Sequence, residues 1–248
     1  MDFTNRVALV TGGGAGIGLE LARSLVAAGA QVIVCGRDAA RLAAAQAMLP
    51  ELQTIRCDLA DRGDTERLAA EIQRRHDHLD LLIHNAAIQQ AIDFTGRPGA
   101  EAAALAEREI AINLTAPIRL TAWLLPLLQR AGDARIVHIG SALGIAPKRS
   151  APVYGAAKAA LRNFGIALDY QLADAGGAVK VQHVLLPLVK TAMTAGRGKG
   201  KISAATAARG ILEGITAGTT EIRVGKAKLL PWLARIAPNL LAQLMRDN

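Results

Sequence analysis

Seven short apolar runs recur along the chain, most of them separated by stretches with helical spacing, and no other feature limits the possible folds so tightly. The runs are RVALVT (6–11), QVIVCG (31–36), LQTIRC (52–57), LDLLIHN (79–85), ARIVHIG (134–140), VKVQHVLL (179–186) and EIRVG (221–225). They are continuous rather than alternating, the pattern of parallel strands covered on both faces. Residues 17–28, 39–48, 64–75 and 101–130 carry the amphipathic period of helices. Strict alternation of strand and helix predicts an α/β fold, a doubly wound parallel sheet of about seven strands with helices on both faces. With 248 residues, 51% of them hydrophobic, the chain supports one large core. No linker rich in Pro, Gly or Ser and no internal repeat divides it, so residues 1–248 are read as one domain.

Composition narrows the function classes. The formal charge of +8 suits an anionic partner, but aromatics at 3% argue against stacking platforms for single-stranded nucleic acid. Neither zinc-ligand spacing nor a basic heptad region is present, so no nucleic-acid partner and no metal are expected. A phosphorylated cofactor or an acidic substrate accounts for the charge with less, and a merely solvated basic surface does equally well. The start, MDFTNRVALVTGGG, lacks the pattern of a secretory leader, and no run of about 18 apolar residues predicts a membrane span. Cys35 and Cys57 sit at strand ends, close enough to be neighbours, and are read as inert buried thiols in a reduced, cytoplasmic setting.

The first strand runs into TGGGAGIG and then a helix. Gly12, Gly16 and Gly18 follow the pattern T-G-x-x-x-G-x-G, and the strand-to-helix context gives it weight. Glycines permit a tight turn and close backbone approach, and a helix N-terminus offers free N–H groups to a pyrophosphate. NAD sites usually place a carboxylate at the end of the second strand. Here Gly36 stands in that place, followed by Arg37, while Asp38 reads as the next helix's cap. An arginine bonded to a 2′-phosphate is worth ~1.5–3 kcal/mol, which predicts NADP(H) over NAD(H) by roughly 10–100-fold. Asp58 ends the third strand, where contact with adenine and capping of the next turn compete. Asn85 and Ala86 end the fourth, beside the expected adenosine.

Ser141 ends the fifth strand at the carboxyl edge of the sheet, where open α/β folds bind ligands. Thirteen residues later, PVYGAAKAAL stacks Tyr154 and Lys158 one helical turn apart. Together with TGGGAGIG and Asn113, this set resembles the short-chain dehydrogenase/reductase family over almost the whole chain. HNAAIQ, INLTAPIRLT, VYGAAKAAL and EIRVGKAKLL further resemble the branch named after the oxidoreductase of the D-alanine–lipoteichoic acid operon.

The resemblance implies a Rossmann-type fold and a homodimer or homotetramer. It makes Tyr154 the general acid and base, Ser141 the group that orients the substrate oxygen, Lys158 the holder of the nicotinamide ribose, and Asn113 the anchor of a relay water. It gives the nucleotide to Gly12, Gly14, Gly16, Ile17, Gly18, Arg37, Asp58, Leu59, Asn85, Ala86, Tyr154, Lys158, Pro187, Val189 and Thr191. The chemistry agrees with the roles. A phenol of pKa ~10 must fall by about three units to work near neutrality, a demand of ~4 kcal/mol. An ammonium ~4 Å away at an effective dielectric of ~20 supplies about that much. Pro117 adds a separate expectation. It has no N–H to give the Asn113 carbonyl, so a kink is predicted and that carbonyl is set against the side chain as the water's holder.

The pattern is departed from in two places. His84-Asn85-Ala86-Ala87 replaces the usual Asn-Asn-Ala-Gly, and Pro187-Leu188 the usual Pro-Gly. His138 lies on the strand beside His84, and both are expected as satisfied core histidines. Residues 190–201, Gly-rich with Lys190, Arg197, Lys199 and Lys201, read as a loop closing over a ligand. The apolar, basic tail is expected to pack on the domain or a second subunit rather than lie on a membrane. The implied activity is hydride transfer between NADP(H) and a carbonyl or alcohol substrate. The rival is a nucleotide-binding sensor with little turnover, favoured by the altered HNAA turn and opposed by the intact Asn-Ser-Tyr-Lys set.

Overall fold

The computed structural model describes residues 1–196, 198 and 200–247, so Arg197 and Lys199 of the basic loop lie outside the described residues. All seven expected strands are present: β1 (Val7–Thr11), β2 (Gln31–Gly36), β3 (Gln53–Arg56), β4 (Leu81–His84), β5 (Ala134–Ile139), β6 (Val179–Leu185) and β7 (Glu221–Arg223). They pair in parallel in the order β3-β2-β1-β4-β5-β6-β7. The order reverses between β1 and β4, which opens a crevice at their carboxyl ends.

The helices are α1 (Gly16–Ala27), α2 (Ala39–Met48), α3 (Arg62–Arg75), α4 (Gly99–Ile110), α5 (Ala116–Arg130), α6 (Pro152–Asp174), α7 (Ala204–Thr216), α8 (Leu230–Ile236) and α9 (Pro238–Arg246). They cover both faces of the sheet, and the pleat of β1 shows how. Ala8 and Val10 join one core with Leu21 and Leu25 of α1 and Ile211 and Ile215 of α7. Val7 and Leu9 point the other way, to Leu68 and Ile72 of α3 and Leu120 and Leu124 of α5. Each fully buried leucine contributes roughly 1.5–3 kcal/mol, so both faces hold the central strand firmly.

The stretch expected as one helix over 101–130 is interrupted. A π-helical turn at Ala111–Thr115 separates α4 from α5, with the Ala116 N–H bonded to the Ala111 carbonyl. The missing N–H of Pro117 breaks the α ladder here, and the expected kink takes the form of this wider turn. By length and composition alone Gly99–Arg130 is apolar enough to cross a membrane. Its Leu120, Leu124, Leu127 and Leu128 are instead buried with Leu82 and Ile136 in the core.

Candidate active site

The turn after β1 is drawn tight by side chains from two strands. The Thr11 hydroxyl accepts the N–H groups of Asn85 and Ala86, each at 3.0 Å. The Asn85 amide donates back to the Thr11 and Gly12 carbonyls at 2.9 and 3.3 Å. Gly12 has φ +67°, a conformation that a side chain would strain. Gly18 lies so close that a Cβ there would stand 2.4 Å from the Gly12 carbonyl oxygen. Asn85 and Gly18 therefore shape the turn. Helix α1 begins without a side-chain cap, and its N-terminal residues Ala15, Gly16 and Ile17 border a cleft of ≈ 940 Å³. That leaves N–H groups for an anion, as a dinucleotide site requires.

The same cleft is lined by Gly12, Gly14, Arg37, Asp58, Leu59, Asn85, Ala86, Ser141, Tyr154, Lys158, Pro187, Val189 and Thr191. At its β2–β3 end Asp38 is the cap of α2, accepting the Arg41 N–H at 3.1 Å. Arg41 also lines the cleft and pairs with Asp38 at 3.2 Å, a second cation that the motif gave no reason to pick. Asp58 closes the turn before α3, accepting the Ala60 N–H at 3.0 Å, while Asp61 caps that helix. Asp58 also pairs with Arg108 of α4 at 3.0 Å, a partner invisible at a sequence distance of 50 residues. Burial opposes the Asp58 charge, but Ala60 and Arg108 outweigh it and hold the carboxyl below its usual range.

At the other end Ser141, Tyr154 and Lys158 converge. The Ser141 hydroxyl accepts the Leu143 N–H at 3.2 Å and lies close enough to the Tyr154 phenol to lower its pKa. Lys158 is buried, with its Nζ 5.7 Å from the centre of the Tyr154 ring and bonded to the Ile139 carbonyl at 2.7 Å. The expected tuning of the phenol is not what the structure shows. Burial pushes Tyr154 up to about 12, the Ser141 hydroxyl pulls it down, and the Glu109 charge raises it further. Burial also lowers Lys158 to about 8, so its charge is itself costly. The ammonium faces the Ile139 carbonyl oxygen.

Asn113 does not line the cleft. Its side chain is fully buried and clamps one backbone residue, accepting the Ile88 N–H at 2.9 Å and donating to the Ile88 carbonyl at 2.8 Å. One helical turn earlier the buried Glu109 accepts the Gln90 N–H at 2.9 Å, and its other oxygen has no partner among the described residues. Burial raises this carboxyl, against the Gln90 bond. No local motif in the sequence marks Glu109, because its partner Gln90 lies in the loop before the helix.

A family model for short chain dehydrogenases matches residues 6–201. The chain belongs to that family. It is an oxidoreductase by that membership, and the resemblance read from the sequence is borne out. The uncharacterized oxidoreductase DltE of Bacillus subtilis is 42% identical over 193 residues, which cover 78% of this chain and 75% of that protein. A short chain dehydrogenase from Burkholderia cenocepacia, solved with NADP, superposes with a TM-score of 0.86 at 23% identity, over 100% of both chains. One from Burkholderia phymatum, solved with NAD, reaches 0.85 at 20% identity, over 100% of this chain and 97% of that one. Both structural likenesses are of fold, and folds this close hold either nucleotide.

The departures from the family pattern have a structural consequence. His84, His138 and His183 occupy paired positions on β4, β5 and β6. Their ring centroids lie 5.4 Å apart at both steps. Gly165 of α6 makes room, since a Cβ there would be 2.3 Å from His183 and 2.7 Å from His138. The expectation of satisfied core histidines holds for His84, whose Nε2 meets the Thr121 hydroxyl at 2.9 Å. It fails for His138, because neither ring nitrogen has a partner among the described residues. Burial, then the Lys158 charge, lowers His84 to about 3, and burial with its two imidazole neighbours drives His138 well below its usual value. The two cysteines are buried and free, as expected, and they lie near enough to each other that Cys35 and burial push the Cys57 thiol up.

Proposed function

We propose that this short chain dehydrogenase interconverts a carbonyl compound and its alcohol, with NADP(H) as hydride partner and Tyr154 as acid and base. The observation that carries the reading is the convergence of Ser141, Tyr154 and Lys158 on the cleft that begins at the glycine turn. NADPH, when bound, supplies the hydride. Ser141 donates its hydrogen bond to the substrate oxygen, where negative charge grows. Tyr154 gives its proton to that same oxygen. Lys158, buried with its ammonium beside the phenol ring, returns a proton to the phenolate left behind. The Asn113 side chain is spent on Ile88, which leaves its main-chain carbonyl to hold a water that recharges Lys158.

Nucleotide choice follows from the β2–β3 end. Arg37 and Arg41 line it, Asp38 is occupied as a cap, and Gly36 brings no carboxylate toward a ribose. NADP(H) is the form these groups favour. The substrate walls include Ile88, Leu143, Leu188, Leu230 and Met245, and among the described residues the lysines of the cleft are Lys148, Lys158 and Lys226. They suit a carbonyl compound with an apolar body. The test is NADPH oxidation over a panel of ketones, aldehydes and keto acids, with Tyr154→Phe as control. Turnover absent from every member, or equal in the control, would overturn the reading.

A further inference from the structure

Beyond β7 the chain folds into α8 and α9, which have two unlike sides. On the inner side Leu241 is buried, and Leu230 and Met245 line the cleft. Packing on the domain therefore accounts for these residues. It does not account for Leu229, Trp232, Ile236 and Leu240, which are 62%, 67%, 60% and 53% exposed. Trp232 and Ile236 stand one turn apart on one face of α8. Elsewhere the exposed large apolar side chains, Met48, Phe94 and Tyr170, come from distant parts of the sequence.

The charges around this patch have one sign. Lys226, Lys228, Arg235 and Arg246 are all exposed, and Asp247, the one carboxylate side chain after Glu221, is paired with Arg149 at 2.7 Å. We propose that this face docks on an anionic lipid bilayer, with α8 and α9 lying in the interfacial plane. Basic residues would meet the headgroups while Trp232 and Ile236 enter the boundary with the acyl chains. A second copy of the chain fits less well. A two-fold contact would set the same four cations against themselves, with no carboxylate in the patch to relieve them. Because the inner side of these helices walls the cleft, docking sets that wall on the lipid surface. An apolar carbonyl compound dissolved in the bilayer is then the substrate class within reach; this second step rests on the reductase reading, and the first does not.

Trp123→Phe leaves Trp232 as the one tryptophan, so its emission reports the face directly. The expected result is a blue shift and co-sedimentation with phosphatidylglycerol vesicles, weakened by salt and absent with pure phosphatidylcholine. Lys228→Glu with Arg235→Glu is expected to weaken that binding by roughly tenfold or more. Ile236→Ser is expected to weaken it without changing the salt dependence. NADPH binding and turnover of a water-soluble carbonyl compound stay unchanged in all three, so loss of turnover on soluble substrates speaks against the reductase reading alone. An emission unmoved by phosphatidylglycerol overturns the docking. So does equal binding to both lipids, or a blue shift without vesicles that tracks a doubling of mass, which assigns the face to a second copy.

Discussion

The two ends of the cleft are built on opposite principles. The β1–β3 end uses backbone and half-exposed ions: the glycine turn, Arg37, Arg41, and Asp58 held ionised by Ala60 and Arg108. Its groups have their charges before any ligand arrives. The β4–β6 end uses buried ionisable side chains, each displaced by desolvation in the direction of neutrality: Tyr154, Lys158, Glu109, His84 and His138. Such groups are expensive to charge and respond strongly when a charge is brought in. On the proposed reading the difference means that recognition is set by the protein alone, whereas the acid–base chemistry is completed by the bound nucleotide.

The sharpest way to separate the two ends is to injure one and watch the other. Tyr154→Phe is expected to lower turnover by roughly 10²–10⁴-fold while NADPH binding, followed by fluorescence titration, stays the same. Loss of binding would mean that the ends are not independent. Arg37→Ala acts on the recognition end. A shift of roughly 10–100-fold in the NADPH-to-NADH ratio of Kd values is expected, with turnover at saturating nucleotide preserved.

Acid sensitivity tests the buried end without substrate. His84 has a folded value of about 3 against its ordinary 6.5, so the unfolded chain binds more protons between those values. Stability is therefore full above pH 6.5 and falls as the pH drops. From His84 alone urea unfolding is expected to lose about 2 kcal/mol between pH 6.5 and pH 5, and His138 adds in the same direction. A flat profile would contradict the burial of these imidazoles as neutral groups. The smallest effect concerns Glu109. Its charge raises Tyr154, so Glu109→Gln is expected to move the phenol's titration slightly down; an upward move would reverse the assigned sign.

How much was legible in the sequence follows the same division. All seven strands, the glycine turn and the cap at Asp38 announce themselves through local spacing, because strand period and helix-start chemistry act within a few residues. Ser141, Tyr154 and Lys158 stand out only in combination with the glycine motif and Asn113, as the resemblance to the family implies. The Asp58–Arg108 pair, the hold of Asn113 on Ile88, and the three aligned imidazoles depend on strand order and long-range packing. The π turn was foreshadowed by Pro117, but only as a kink, since nothing local sets whether the ladder bends or widens. The high phenol value was missed because two charges placed by helical spacing carry no information on how deeply both are buried.

The central claim is that Tyr154 becomes a usable acid only when nucleotide is present. In a Tyr170→Phe background Tyr154 is the sole tyrosine, and its ionisation can be followed by ultraviolet absorbance with and without NADP⁺. The midpoint is expected at about 12 for the protein alone and lower by roughly one to three units with saturating NADP⁺. A midpoint that NADP⁺ leaves in place, or one already near neutrality without it, would contradict the account.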